Sequence, residues 1–184
     1  VAGERGVYAA FRQQFPRLDL DALRLHASEW RDYSEIYRIL LTPEQAPDAG
    51  IARQLDYINT FGHGMYPLVM RAYRDYSLGA SDLRTSDTQS FIDTLEQVQS
   101  LLLRRTVVAL SNKRLVARLC RARERGADAL VRAIVRITPS DERVRVGLKY
   151  AELPYAAYVL GRLSGVESMA GLDDQFSGEA KAAD

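Results

Sequence analysis

The sequence predicts an all-α protein, an irregular bundle of about seven to nine helices with no sheet. Three observations lead there. Apolar residues recur at steps of three and four nearly everywhere along the 184 residues. Helix-start and helix-stop residues bracket most of these runs. The only strand-like stretches, Thr106-Val107-Val108 and the alternation Arg143-Val144-Arg145-Val146, are short and have no partner run bounded by hairpin turns.

In order, Tyr8, Phe11 and Phe15 share one face of a first helix ended by Pro16. Leu23, Ala27, Trp30, Tyr33 or Ser34, Tyr37 and Leu40 trace one stripe of a long second helix. Thr42-Pro43-Glu44-Gln45 reads as a capping box with proline at N1, though Pro47 holds that helix to about one turn. Ile51, Leu55, Ile58 and Phe61 give the next helix, closed by Gly62 and Gly64; Pro67 opens another that Gly79 can end. Ser86-Asp87-Thr88-Gln89 is a second capping box. Behind it Ile92, Leu95, Val98, Leu102 and Thr106 or Ala109 continue for about six turns, the longest helix expected, ending near Ser111-Asn112. Shorter helices follow from about Lys113 to Glu124, stopped by Gly126, then from Ala127 to Ile137, from Thr138-Pro139-Ser140-Asp141 onward, and from Pro154 to Leu163. Residues 1–167 are expected to form one helical domain and 168–184 a flexible tail, small and polar in composition.

Hydrophobic content of 47% with 27% charge is ordinary for a globular chain. No apolar run approaches the length of a membrane span, so no membrane partner is expected. Cys120 is the single cysteine, which excludes an internal disulfide and fits a reducing cytoplasm. The opening Val1-Ala2-Gly3-Glu4-Arg5 has no initiator methionine and no signal-peptide core, as expected of a segment of a longer chain. The sequence does not set the oligomeric state.

The whole chain carries a net charge of +1, but that figure hides an asymmetry. Between Arg104 and Arg136 stand nine arginines and one lysine against Glu124 and Asp128, an excess of +8, which leaves −7 for the rest. Uneven distribution of this kind points to an electrostatic partner for the basic part. Arg114, Arg118, Arg121 and Arg125 fall at i, i+4, i+7 and i+11, on one face of a helix, beside Lys113; Leu115, Leu119 and Ala122 form a neighbouring stripe for the core. Arg132 and Arg136 add an i, i+4 pair one helix later. Guanidinium groups one turn apart suit successive phosphates, which makes these seven residues the nucleic-acid-binding candidates. The plainer reading is the solvated side of an amphipathic helix. Arg104 and Arg105 interrupt an apolar run, so a structural anchor near the core is the expected role.

No constellation for catalysis is found. His26 and Glu29 have chelating i, i+3 spacing but no second pair to complete a site, and no metal or cofactor is expected in this segment. His63 stands in a turn-like Gly-His-Gly stretch. The phosphate-cradling and nucleophile-elbow glycine patterns are missing. Asp19/Asp21 and Asp173/Asp174 have no apolar setting to part their pKa values.

Ser100 to Leu119, SLLLRRTVVALSNKRLVARL, resembles the helical region of GmrSD-type modification-dependent restriction endonucleases, bacterial proteins that pair a ParB-like nucleotide-hydrolysing domain with an HNH nuclease. That region has a long helix ending in Arg-Arg, a short apolar stretch, a small polar turn, and a second helix opening with a basic residue and leucine. The matching positions are Arg104, Arg105, Val107, Leu110, Asn112 and Leu115. VYAAFRQQF, EIYRILLTPE, YPLVMRAY and TPSDERVRVGL follow the family's order, so the similarity runs from about Val7 to Leu163. Ala109 stands where glycine is usual, Ser111 where proline is common and Val116 where asparagine often sits. The resemblance implies a non-catalytic helical domain of an anti-phage defence system. Its partners would be DNA and the NTPase and HNH nuclease domains of a parent NTP-dependent DNA endonuclease. Neither the Gln-Gln-Arg of the first engine nor the Glu-His of the second occurs in this chain. The alternative is a free-standing helical module that binds nucleic acid or protein.

Overall fold

The computed structural model describes residues 9, 12, 13, 19–77, 88–150 and 153–164. The helix on Tyr8, Phe11 and Phe15, the stop at Gly79, the Ser86-Asp87 half of the second capping box, the boundary at 167 and the tail all lie outside them. Eight α-helices and no strand occur among the described residues. The helices are α1 (Leu20–Leu41), α2 (Ala49–Asn59), α3 (Tyr66–Ser77) and α4 (Thr88–Val107), then α5 (Leu115–Arg123), α6 (Ala127–Ile137), α7 (Asp141–Tyr150) and α8 (Ala156–Ser164). The valine alternation at 143–146 lies inside α7, where isolated β-branched residues yield to helical packing.

Helix α4 is the central element, packed on α2, α3, α6 and α7, while α1 lies on α3 and α5 bridges α3 to α6. Leu95, Val98, Leu101 and Leu102 of α4 meet Ile51, Leu55 and Ile58 of α2 and Leu68, Val69 and Tyr73 of α3 in one core. Each fully buried leucine there contributes about 2 kcal/mol by leaving water. Helix α7 crosses close to the end of α4 because Gly147 has no side chain; a Cβ there would stand 3.0 Å from the Val107 carbonyl oxygen.

Local chemistry accounts for the ends. Asp19 caps α1 by accepting from the Ala22 N–H at 2.8 Å, and Asp48 caps α2 by accepting from Ile51 at 3.0 Å. The capping box expected at Thr42 does not form. The Thr42 hydroxyl instead donates to the Arg38 carbonyl at 2.6 Å, and the Gln45 side chain accepts from Arg38. Only a 3₁₀ turn, Pro43–Gln45, follows.

Helix α4 stops at Val107, four residues before the expected end, and α1 is two residues longer than it. Leu110 N–H reaches the Arg105 carbonyl at 2.8 Å and Ala109 N–H the Thr106 carbonyl at 3.0 Å, the bond pair of a Schellman cap. Ala109 takes the left-handed position of that cap, at φ 54°. This is the residue that stands where the resembled family carries glycine. Its side chain is exposed, so Ala109→Gly relieves strain without losing packing. The substitution is expected to raise stability by about 0.5–1 kcal/mol after the added freedom of the unfolded chain is counted. A higher denaturant midpoint at unchanged slope is the readout.

Most of the apolar stripe traced along α1 is not its buried face. Of its members only Leu40 is buried and Tyr33 half-buried, while Leu23, Ala27, Trp30, Ser34 and Tyr37 are exposed. The inward face is set by Ile36 and Leu40, with Tyr33 and Ile39 beside them.

A polar network is built into this core. Gln99, fully buried, donates through Nε2 to the Gln54 carbonyl at 3.2 Å and to Gln54 Oε1 at 2.8 Å, and its own Oε1 accepts from the Tyr158 hydroxyl at 2.9 Å. Gln54 Nε2 and Arg162 Nη2 both donate to Glu96 Oε1, each at 3.1 Å. Helix α8 is thus hydrogen-bonded to α4, and its Tyr158 packs edge-to-face on Tyr57 of α2 and on Phe61. With these partners satisfied, a glutamine is tolerated where an apolar residue is the norm. Burial pushes the Tyr158 hydroxyl above its ordinary pKa, with Arg162 acting against the shift.

Candidate nucleic-acid interface

Helices α5 and α6 pack on each other as a helical hairpin turned at Gly126, whose φ of 109° suits a residue without a side chain. Leu115, Leu119 and Ala122 of α5 and Leu130 and Ile134 of α6 face the core. The register then turns the basic residues outward. Lys113, Arg114, Arg118, Arg121, Arg125, Arg132 and Arg136 are all exposed. Among the described residues no carboxylate pairs with any of them.

The stripe is shorter as regular helix than expected. Helix α5 runs only from Leu115 to Arg123, so Arg118 and Arg121 are its two exposed basic members. Arg114 precedes it in the left-handed conformation, at φ 59°, with its carbonyl accepting from the Arg118 N–H. Arg125 follows it and donates through Nε to the Arg121 carbonyl, which holds its guanidinium over the end of the helix. The stripe therefore continues beyond both helix ends through turn residues. On α6, Arg132 and Arg136 stand one turn apart.

The other basic residues of this stretch are occupied. Arg123 puts Nε and Nη2 on Asp75 Oδ2 of α3, at 3.0 and 2.8 Å; its side chain is 8% exposed and that of Asp75 32%. Arg104 donates to the Pro139 carbonyl at 3.1 Å and to Asp141. Arg105 donates to Asn112 Oδ1 at 3.0 Å and to the carbonyls of Ser111 and Ile137. Arg104 and Arg105 thus fasten the end of α4 to the turn before α5 and to the link between α6 and α7. Asn112 is the partner of Arg105. Glu124 is taken by Arg71 across the α3–α5 contact. Sequence spacing missed the role of Arg123, because its partner lies 48 residues away.

An open groove of about 450 Å³ runs between α4 and α6, lined by Gln97, Ser100, Arg104, Val131, Ile134, Val135 and Thr138. Among the described residues that line it there is no carboxylate, histidine or cysteine. Cys120 is half-buried, and burial raises its thiol pKa, so its reactive thiolate form is disfavoured.

His26 and Glu29 do meet, at 3.3 Å, but the other carboxylate oxygen of Glu29 accepts from Arg74 at 3.3 Å. Arg74 also lies 5.0 Å over the Tyr33 ring, and its hydrogen bonds to Tyr33 and Glu29 raise its pKa further. This cluster joins α1 to α3. Among the described residues no group of three or more potential ligands is placed to hold a metal ion. His63 tilts against the Tyr66 ring at 4.6 Å in a 3₁₀ turn. No helix of the described residues is long and apolar enough to cross a membrane.

Comparison with known proteins gives no family model, no curated protein and no solved structure that matches this chain.

Proposed function

We propose that this chain is a non-catalytic helical module that grips the phosphate backbone of DNA along the α5–α6 hairpin, as the helical part of a bacterial restriction endonuclease. The observation that carries the nucleic-acid reading is the set of seven exposed basic side chains on one hairpin, none of them neutralised by a carboxylate of the described residues. Such a surface attracts a polyanion at long range and takes individual phosphates through planar donor forks. It reads shape and charge rather than sequence, since phosphate contacts position a protein without specifying bases.

What supports the endonuclease setting is the junction on which the resemblance rests. Arg104, Arg105 and Asn112 act in one place, locking the end of α4 to the entries of α5 and α7. A stiff joint there suits a domain that passes the nucleotide state of an NTPase to a nuclease while holding the substrate. The setting is tested by sequencing the reading frame on both sides of these residues. A Gln-Gln-Arg motif upstream and a Glu-His motif downstream are expected. A frame that carries neither would leave a free-standing DNA-binding module, and the coupling role would be lost.

A further inference from the structure

The groove between α4 and α6 pairs an apolar wall with a basic rim. Val131 and Val135 of α6 line it at 38% and 69% exposure, beside the buried Ile134. At about 3.6 residues per turn the order around α6 is Val131, Val135, Arg132, Arg136, so the rim beyond the valines is cationic. The nearby acids leave that rim uncompensated. Asp141 is taken by Arg104, Glu96 accepts from Gln54 and Arg162, and Asp128 makes no ion pair among the described residues. An occupant that suits the groove therefore carries apolar side chains next to carboxylates.

The chain itself supplies such a segment. Residues 165–184 hold Glu167, Asp173, Asp174, Glu179 and Asp184 against Lys181, a net charge of −5 + 1 = −4. Within them Leu172 and Phe176 bracket Asp173 and Asp174, the same juxtaposition of apolar and charged groups with the sign reversed. The segment also starts in the right place. Arg162, near the end of α8, donates to Glu96 of α4 at 3.1 Å, and the next residue of α4, Gln97, already lines the groove. The seven residues between Ser164 and Leu172 reach about 25 Å at full stretch, whereas the groove wall from Gln97 to Arg104 is only about 10 Å long. A tether of that length keeps the local concentration high, so modest contacts suffice.

We propose that residues 165–184 dock back into the α4–α6 groove, with Leu172 and Phe176 against Val131 and Val135 and with Asp173 and Asp174 facing Arg132 and Arg136. Arg114, Arg118, Arg121 and Arg125 stay uncovered, so the segment and DNA compete only for α6. That competition rests on the DNA reading, but the docking does not.

The full chain carrying Cys120→Ser, Ser100→Cys and Ser177→Cys tests the docking by oxidation in dilute, low-salt solution, with the disulfide mapped by mass spectrometry. Ser100 is exposed and lines the groove. A twin carries Tyr150→Cys in place of Ser100→Cys. Tyr150 is 87% exposed and nearer to Ser177 in the chain, so an undirected segment closes the twin's loop more readily. The internal disulfide is expected to form at least about tenfold faster in the Ser100→Cys chain than in the twin, with the advantage shrinking as salt rises. Leu172→Ser with Phe176→Ser should remove the advantage. Arg132→Glu with Arg136→Glu should remove it too, and adding Asp173→Lys with Asp174→Lys to that chain should restore it. A rate no faster than the twin's, or one indifferent to these substitutions, would overturn the proposal. So would a disulfide joining two chains, which would seat the segment on a second copy. Duplex DNA is expected to slow the cross-link. If DNA does not bind while the salt-sensitive cross-link persists, the docking stands and the DNA reading falls.

Discussion

Replacing Asp75 with alanine is expected to destabilise the protein by about 3 kcal/mol, because it strands the Arg123 guanidinium inside the α3–α5 contact. Arg123 is the one arginine of α5 that the bundle encloses, and both of its described hydrogen bonds go to the same carboxylate oxygen. Ala72, Tyr76, Ser90, Phe91 and Thr94 line the small cavity beside it, and none of them carries a charge. Asp75 itself keeps some access to water, which holds the loss to the low end of the range for broken buried pairs. Adding Arg123→Met to Asp75→Ala should recover much of the loss, since the uncompensated charge then disappears and the side chain still fills its place. Urea unfolding of the three variants checks this. A loss below about 1 kcal/mol for Asp75→Ala would mean that Arg123 finds water instead.

Charge reversal on the open face is expected to do the opposite, sparing the fold and removing the function. Arg118→Glu with Arg121→Glu should weaken duplex DNA binding by at least about 100-fold at moderate salt, because two phosphate contacts are lost and two repulsions added. Stability should move by no more than about 0.5 kcal/mol, as both side chains are exposed and pair with no carboxylate. The contrast with Asp75 is diagnostic: one change destabilises the fold without touching the basic face, the other strips the basic face without destabilising the fold. An affinity within about threefold of the parent chain would detach DNA from α5.

These two predictions also mark what the sequence could and could not convey. Helical periodicity revealed the elements because a buried face repeats at 3.6 residues wherever a helix packs, and Arg118, Arg121, Arg132 and Arg136 were placed outward by the same register. Helix ends were less legible. Lys113 and Arg114 look like the start of α5, yet Arg114 adopts a left-handed conformation that no spacing reveals, and α4 stops early because the chain turns at Ala109. Partners were not legible at all. Arg123 sits among residues of identical type and differs from them only by Asp75, far away in sequence. Gln99 stands in sequence beside Gln97 and Ser100, with nothing in its spacing to mark it as buried, and only the folded chain brings Gln54 and Tyr158 to it. The α1 stripe shows the converse difficulty. Periodicity reports that a face is apolar, not whether the chain's own core or another molecule covers it.

The central claim, that the α5–α6 hairpin is a phosphate-binding surface, is tested most directly by titrating the chain against fluorescent duplex DNA across a range of salt. Four to six phosphate contacts predict a slope of log K against log salt of about −4 to −5, reduced by about 2 in the Arg118→Glu, Arg121→Glu chain. No binding at low salt, or a slope near zero, would contradict the claim and leave the seven basic residues as the solvated side of the hairpin.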